Sequence, residues 1–231
     1  MVLVRYTVVI PAFNAAHLIG DALRSIMGQS VAPERIIVVD DGSSDDTGSA
    51  VKAFGGPVEL VSQANTGPGG ATTRGFLTVE TPFIATLDAD DIWLPGKIER
   101  QFAAIESDPG LAGVFGHMVN FTGDPASAGR DAPYAGWCRS TMLISTAAAQ
   151  GNGAIIDPAS GQGDMIDWLA RLREGGNRLA MLPDIVALRR VHDSNMTNRT
   201  NKDLAKSYLQ VAREAMARKR AKAGGNPGDK A

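Results

Sequence analysis

The chain has 231 residues, of which 44% are apolar and 21% charged, proportions that are ordinary for one globular domain with a hydrophobic core. Its net charge of −2 gives no reason to expect nucleic acid as a partner, and its single cysteine, Cys138, excludes an internal disulfide bond and a cysteine-based zinc site. No apolar run approaches the ~18 residues of a membrane span, and the N-terminus passes from Arg5 into a strand without a signal peptide, so we expect a soluble, cytoplasmic protein.

Strands and helices alternate through the first hundred residues. Short β-branched or apolar runs predict strands at 7–11, 36–39, 58–61 and 83–87. Helical spacing of apolar residues predicts helices at 15–27, from the turn at 40–47 to about 54, at 71–79 and at 96–107. This alternation implies a parallel sheet with right-handed crossovers.

The pattern changes after Pro109. Strands are predicted at 111–115 and 118–121, an apolar stretch at 142–144, and a strand pair at 178–182 and 185–191. Helices are predicted at 164–174 and, strongly basic, at 202–222, before a disordered tail at 224–231. Residues 122–137 and 152–163 are predicted to be irregular, and loops this long are usually functional or mobile.

Three carboxylates follow the predicted strand at 83–87. Asp88 and Asp90 lie on the same side of an extended chain and can share one ligand, whereas Asp91 points away. Open α/β sheets bind ligands at the carboxyl edge of their strands, where these side chains lie. Oxygen ligands suit a hard divalent cation, Mg²⁺ or Mn²⁺, that also holds phosphate oxygens. Taken alone, the same acidic loop is also typical of a simple helix cap.

The other three predicted parallel strands also end in polar or sharply turned segments, at 11–14, 40–43 and 65–67. No G-x-x-x-x-G-K-[ST] is present, which excludes a P-loop. The glycines at 67, 69 and 70 do not complete G-x-G-x-x-G, because position 72 is threonine. A dinucleotide site of the Rossmann type is therefore disfavoured.

Four segments in register resemble the family 2 glycosyltransferases of the GT-A fold: V-I-P-A-F-N at 9–14, V-V-D-D-G-S-S-D at 38–45, N-T-G-P at 65–68 and L-D-A-D-D at 87–91. The resemblance implies an α/β fold of GT-A (Rossmann-like) type, a mainly parallel sheet flanked by helices with a smaller mixed region on the acceptor side. Residues 1–110 would form the nucleotide-sugar-binding half and 111–200 the acceptor-binding and catalytic half. Residues 201–231 would form a C-terminal basic helix and tail.

The resemblance also implies roles for single positions. Phe13 would stack on the base of a nucleotide-sugar donor, by default a UDP-sugar, and Asp41 would hydrogen-bond the base edge. Asp88 would lie nearer the ribose and share a divalent cation, Mn²⁺ or Mg²⁺, with Asp90 as the main ligand and His192 as a further one. The implied donor-binding positions are Pro11, Ala12, Phe13, Asn14, Asp40, Asp41, Asn65, Gly67, Asp88, Ala89, Asp90 and Arg190.

In inverting members, one carboxylate of the second half acts as the base. The family's Glu-Asp pair corresponds to Asp164 and Met165 here, and Asp167 matches a second common acid one turn later. Spaced i and i+3, Asp164 and Asp167 share a helix face, so either can reach the site. We favour Asp164 because it begins the helix after Gly-Gln-Gly; the alternative is a simple N-cap carboxylate.

Two segments are candidates to supply positive charge to the donor diphosphate. Where the family commonly has Ala-Arg-Asn, this chain has Ala-Thr-Thr at 71–73, and Arg74 lies about 200° further around the helix. Either Arg74 is a variable arginine or the charge comes from elsewhere. The late segment at 189–192 resembles the family's R-x-H motif, and strand alternation puts Arg190 and His192 on one side, where they can face the diphosphate and cation together.

Two tryptophans are candidates to stack on an acceptor sugar. Trp137 lies in a predicted loop, and Trp168 lies on the amphipathic helix, a position more typical of a core residue. The acceptor itself is not indicated.

The sequence thus predicts a soluble, metal-dependent, inverting glycosyltransferase that moves a sugar from a nucleotide-diphosphate donor to an acceptor hydroxyl. The altered Ala-Arg-Asn and Glu-Asp motifs leave open a catalytically degenerate nucleotide-sugar-binding module. A sugar-nucleotidyltransferase is disfavoured, because Pro-Ala-Phe-Asn follows the first strand in place of a glycine-rich basic signature. The helix at 202–222 is either a solvated packing helix or an attachment site for a second copy (a homodimer) or for an anionic membrane surface.

Overall fold

The computed structural model describes residues 4–128, 131–158 and 163–192, together with residues 209, 211–218 and 220, which are helical. The predicted tail at 224–231 and part of the predicted helix at 202–222 lie outside the described residues.

Four parallel strands form one half of the sheet. The three inner ones are mostly buried apolar runs, as expected for parallel strands between two helical layers, whereas the edge strand is half-buried and exposes Glu59. In spatial order they are β3 (Val58–Ser62), β2 (Arg35–Asp40), β1 (Tyr6–Ala12) and β4 (Phe83–Thr86). The helices of this half are α1 (Ile19–Met27), α2 (Thr47–Lys52), α3 (Gly67–Phe76) and α4 (Lys97–Ser107). The predicted βα alternation is confirmed.

The second half continues the same sheet in mixed directions. Its strands are β5 (Ile92–Trp93), β6 (Leu111–Phe121), β7 (Tyr134–Ala135), β8 (Leu143–Ser145) and β9 (Arg178–Arg190). Strand β8 joins β4 and β6 antiparallel to both, β9 lies parallel to β6, and β5 and β7 pair antiparallel with β9 and β6. Short 3₁₀ helices lie at Pro125–Ser127 and Arg139–Thr141, and the α-helices are α5 (Thr146–Gly151) and α6 (Asp164–Glu174). The predicted fold class is confirmed.

Strands β6 and β9 correct a detail of the prediction. The segments at 178–182 and 185–191 are not paired with each other; they belong to one strand that runs along β6. The register passes from Phe115↔Met181 to His117↔Ile185, so three residues of β9 oppose a single residue of β6. Pro183 lies in this bulge, where its missing N–H leaves no gap in the ladder.

The helix α3 begins at Gly67, four residues before its predicted start. The reason lies far along the chain, because the carboxylate of Asp157 accepts hydrogen bonds from the backbone N–H groups of Gly69 and Gly70 at 3.0 and 3.1 Å. A Cβ atom at Gly69 would lie 2.9 Å from Asp157 Oδ2. Glycine therefore lets the carboxylate cap the helix at short range.

Two apolar layers cover the sheet. Val8 and Ile10 of β1 face α1, α2 and α4, whereas Val9 faces α3, α5 and α6. Trp168 of α6 is fully buried in this second layer, 5.8 Å from the ring of Phe76, and its indole N–H donates to a backbone carbonyl. This alternation follows from the two-residue period of a strand.

The described part of the C-terminal helix packs on α6. Arg218 donates to Glu174 at 2.9 Å and pairs with Asp167 at 2.9 Å. In the described part of the chain, no helix has the length and apolar character to span a membrane.

Candidate active site

A cleft of about 590 Å³ opens where the carboxyl ends of the parallel strands meet α6 and the end of β9. It lies at the sheet edge where open α/β folds bind ligands. Its lining residues are Pro11, Ala12, Phe13, Asn14, Ala15, His17, Leu18, Asp41, Asn65, Gly67, Pro68, Ala71, Asp88, Ala89, Asp90, Asp91, Arg139, Gly163, Asp164, Arg189 and His192.

Phe13 stands out at the mouth of this cleft. Its neighbour Ala12 is 2% exposed, but Phe13 itself is 52% exposed. The next residue, Asn14, has φ of 50°, a left-handed conformation that is uncommon outside glycine. Asn14 is held there by hydrogen bonds with the 43–44 turn, because its Oδ1 accepts from Ser44 N at 2.8 Å and its N–H donates to Ser43 Oγ at 2.9 Å. The turn thus presents an aromatic face to the cleft.

The two acids of the D-D-G-S turn have different environments. Asp41 is 2% exposed, and its carboxylate accepts from the backbone N–H of Thr66 at 2.9 Å and of Gly67 at 2.8 Å, at the start of α3. Asp40 accepts from Ser43 N at 3.0 Å and does not line the cleft. Asp41 therefore borders the cleft, whereas Asp40 stabilises the turn.

The segment after β4 concentrates negative charge. Burial raises the pKa of Asp90 above its ordinary value and the charge of Asp88 raises it further, while a hydrogen bond with His192 (Nε2 to Oδ2, 3.0 Å) opposes this rise. Burial also raises the pKa of Asp91 well above its usual range, and Asp90 and Asp88 add to the rise. Close carboxylates of this kind favour either a proton or a cation between them.

Arg139, which the sequence reading missed, lies between two carboxylates of the cleft. It begins a 3₁₀ helix just before β8 and is 7% exposed. Its Nε donates to Asp88 Oδ1 at 2.7 Å, and its Nη1 donates to Asp164 Oδ2. The only sequence signal was an arginine inside the apolar stretch W-C-R-S-T-M-L-I, since a buried arginine is almost always paired.

The profile of the family described as "Glycosyl transferase family 2" matches residues 7–149, more than half of the chain. The chain belongs to this family. Membership confirms the predicted resemblance.

Relatives of this family 2 chain include an uncharacterized glycosyltransferase of Nostoc sp., 29% identical over 161 residues, which are 68% of this chain and 49% of that protein. The UDP-Glc:α-D-GlcNAc-diphosphoundecaprenol β-1,3-glucosyltransferase WfgD of Escherichia coli is 33% identical over 99 residues, 42% of this chain and 39% of that protein. The chain spans half or less of the length of these curated relatives.

Solved structures share the fold. S. aureus TarS in complex with UDP-GlcNAc has a TM-score of 0.71 at 18% identity, covering 91% of this chain and 66% of that one. The mannosyltransferase PcManGT of Pyrobaculum calidifontis, in complex with GDP-Man and Mn²⁺, has a TM-score of 0.65 at 19% identity, covering 96% of this chain and 76% of that one.

The two acids of α6 in this family member have different surroundings. Asp164, its first residue, lines the cleft. Asp167 does not; it pairs with Arg171 at 2.8 Å and with Arg218 at 2.9 Å. Met165, at the position of the family's aspartate, is 5% exposed and lies in the core. Shared helical spacing was therefore not enough to bring both acids to the site, because partners on α6 and the C-terminal helix hold Asp167.

Arg190 also lies outside the cleft, contrary to the alternation argument. The strand β9 ends at Arg190, so His192 no longer follows its two-residue period. Arg190 is 9% exposed and donates to Asp21 Oδ2 at 2.7 Å and to the backbone carbonyl of Asp90 at 3.0 Å. It supports the acidic turn from behind, while Arg189 and His192 line the cleft.

Neither tryptophan lines the cleft. Trp137 packs on Phe115, with ring centroids 5.0 Å apart, and lies 4.4 Å beneath the guanidinium of Arg173. Trp168 is part of the core described above. Arg74 is exposed and also outside the cleft, so it does not supply the charge of the missing Ala-Arg-Asn arginine.

Proposed function

We propose that the chain is a metal-dependent, inverting glycosyltransferase that takes a sugar from a nucleotide-diphosphate donor and transfers it to an acceptor hydroxyl. The observation that carries this proposal is the single cleft into which the fold brings Phe13, Asp88, Asp90 and Asp164. The names of WfgD, TarS and PcManGT, with their UDP- and GDP-linked sugars, support a nucleotide-sugar donor, with UDP as the default.

The base of the donor would occupy the end of the cleft formed by the first half, residues 1–110. Phe13 offers an exposed ring for stacking, and a planar base gains free energy on an aromatic face. Pro11, Ala12, Asn65 and Gly67 line the same cleft. Asp41 would meet the base edge with the part of its carboxylate not used by α3.

The oxygen and nitrogen ligand atoms that line the cleft fit a divalent cation. Among the described residues no three acidic, histidine or cysteine side chains already converge on a common point. Burial and the neighbouring carboxylates raise the pKa values of Asp90 and Asp91, and a bound cation would favour their charged forms. Asp88, Asp90 and His192 would hold Mn²⁺ or Mg²⁺, whose chemistry is to stabilise the diphosphate leaving group as a Lewis acid.

Asp164 would act as the general base from the second half, residues 111–200. Its carboxylate would take the proton of the acceptor hydroxyl as that oxygen bonds to the anomeric carbon and the bond to the diphosphate breaks. Attack opposite the leaving group inverts the anomeric configuration. Asp164 is preferred to Asp167 because Asp164 lines the cleft and Asp167 is held by two arginines.

Donor turnover tests this proposal. Wild-type protein with Mn²⁺ should hydrolyse or transfer at least one common UDP- or GDP-sugar, and Asp90→Ala should abolish the activity, because it removes the proposed main cation ligand. Asp184→Ala, an exposed acid outside the cleft, is the matched control and should retain activity. Absence of turnover with every common donor and cation would leave only a binding module.

A further inference from the structure

Arg139 contacts one carboxylate of the proposed donor site and one of the proposed acceptor site, but it has no role in the function proposed above. Its guanidinium donates to Asp88 on the donor side and to Asp164 on the acceptor side. The first carboxylate follows β4 and the second begins α6, so one buried side chain joins the two halves of the domain inside the cleft.

The backbone around Arg139 is fixed. Its carbonyl accepts from Thr86 Oγ1 at 2.7 Å, at the end of β4. The next residue, Ser140, donates to Asp91 and accepts from the indole N–H of Trp93 through its carbonyl at 2.9 Å. Arg139 therefore does not depend on Asp88 or Asp164 for the position of its own backbone.

One positive charge here serves two carboxylates. Burial alone would lower the pKa of Arg139, but the charges of Asp88 and Asp164 raise it above its ordinary value, so the guanidinium stays charged. A guanidinium offers its donors in a rigid planar fork, which fixes the direction from which each carboxylate is bound. A change that weakens the hydrogen bond of Arg139 to one carboxylate therefore allows a stronger interaction with the other.

Resting on the function proposed above, we propose that Arg139 is a positioning residue that couples donor binding at Asp88 to the orientation of the base Asp164. By occupying Oδ2 of Asp164, it leaves Oδ1 for the proton of the acceptor hydroxyl. By reciprocity, a change at Asp164 alters the affinity for the donor at Asp88, and a ligand at Asp88 alters the environment of Asp164.

A binding cycle with UDP and Mn²⁺ tests the coupling without relying on turnover. Calorimetry should show that Asp164→Asn weakens the binding of UDP with Mn²⁺ about fivefold, because Arg139 then binds Asp88 alone and competes with the ligand. In an Arg139→Met background, Asp164→Asn should have no further effect. Arg139→Lys keeps the charge but loses the fork, so it should also abolish the transmitted effect and covers the case in which Arg139→Met does not fold.

Turnover provides a second readout that a purely structural role would not change. Arg139→Met should lower kcat about 100-fold, the range expected for a mispositioned general base, and the double variant with Asp164→Asn should have the kcat of Asp164→Asn alone. Arg178→Met is the matched control, since this exposed arginine pairs with Asp108 outside the cleft and should change neither Kd nor kcat.

The outcomes separate the two proposals. An unchanged Kd in Asp164→Asn, or the same change with and without Arg139, overturns the coupling even in an active enzyme. An intact binding cycle in a protein that turns over no donor supports the coupling and overturns the transferase.

Discussion

The acidic residues after β4 differ in whether a charged partner lies beside the carboxylate. Asp88 is paired with Arg139 and Asp90 with His192. Asp91 is 4% exposed, and within the described residues its carboxylate accepts from two groups without formal charge, Ser140 Oγ and the backbone N–H of Arg190. Burial, with the charges of Asp90 and Asp88, raises the pKa of Asp91 well above its usual range. A charged carboxylate at position 91 therefore destabilises the folded state.

Asp91→Asn should stabilise the fold at neutral pH. Because the pKa of Asp91 is higher in the folded state than in the unfolded one, the folded state binds more protons, and wild-type stability falls as the pH rises from about 4 through the raised pKa. The variant should lose that slope and be more stable than wild type at pH 7. Urea unfolding from pH 4.5 to 8 measures both; a variant less stable than wild type at pH 8 would refute the argument.

Phe13→Ala should weaken donor binding without affecting the fold. The ring is 52% exposed, so its loss should change stability by less than about 0.5 kcal/mol. Loss of base stacking costs about 1–3 kcal/mol, which predicts a donor KM raised roughly 5- to 150-fold with kcat largely kept. Leu77→Ala, an exposed apolar residue outside the cleft, is the control. Unchanged donor KM in Phe13→Ala would place the base elsewhere.

At the scale of elements, α3 depends on a residue of the other half. Its first turn contains three glycines and a proline, and the N–H groups of Gly69 and Gly70 donate to Asp157. The segment that carries Asp157 contacts α3 a second time, because Ile155 N donates to Thr73 Oγ1 at 2.9 Å. The glycine-rich first turn of α3, which borders the cleft, is therefore positioned by residues more than eighty positions later in the chain.

Asp157→Ala should destabilise the protein by about 1 kcal/mol, the usual cost of losing a helix cap. Asp157→Asn, which keeps one acceptor oxygen, should cost less. Asp46→Ala is the matched control, because Asp46 precedes α2 without a side-chain capping bond and should change stability by less than about 0.5 kcal/mol. Denaturant unfolding of the three variants checks the order; equal losses for Asp157→Ala and Asp46→Ala would contradict the cap.

These contacts show which parts of the structure local sequence patterns can predict. The βα units of the first half follow from apolar periodicity and turn residues, which act over a few residues. The early start of α3, the course of β9 along β6 and the ion pairs of Arg139 depend on partners 25 to 88 positions away. The D-x-D segment, whose motif is local, lies in the cleft as expected. Asp167 and Arg190 lie outside it, where the distant residues Arg218 and Asp21 pair with them.

For the whole molecule, the cleft joins the ends of parallel strands in the first half to α6 and β9 of the second. The first half contributes the exposed aromatic ring and the acidic turn, and the second contributes Asp164, Arg139 and His192. This division fits the proposal that residues 1–110 bind the donor and residues 111–200 supply the base. We therefore expect this cleft to bind a nucleoside diphosphate together with a divalent cation.

Thermal unfolding in the presence of nucleoside diphosphates and Mn²⁺ measures this binding. At a ligand concentration of 100 times Kd, binding contributes about 2.7 kcal/mol, which for a chain of this size raises Tm by roughly 5–10 °C. We expect that rise for UDP or GDP with Mn²⁺ in wild type and in the Asp184→Ala control, and a much smaller one for either ligand alone or in Asp90→Ala. The same Tm with and without every nucleotide–Mn²⁺ pair, or an undiminished rise in Asp90→Ala, would contradict it.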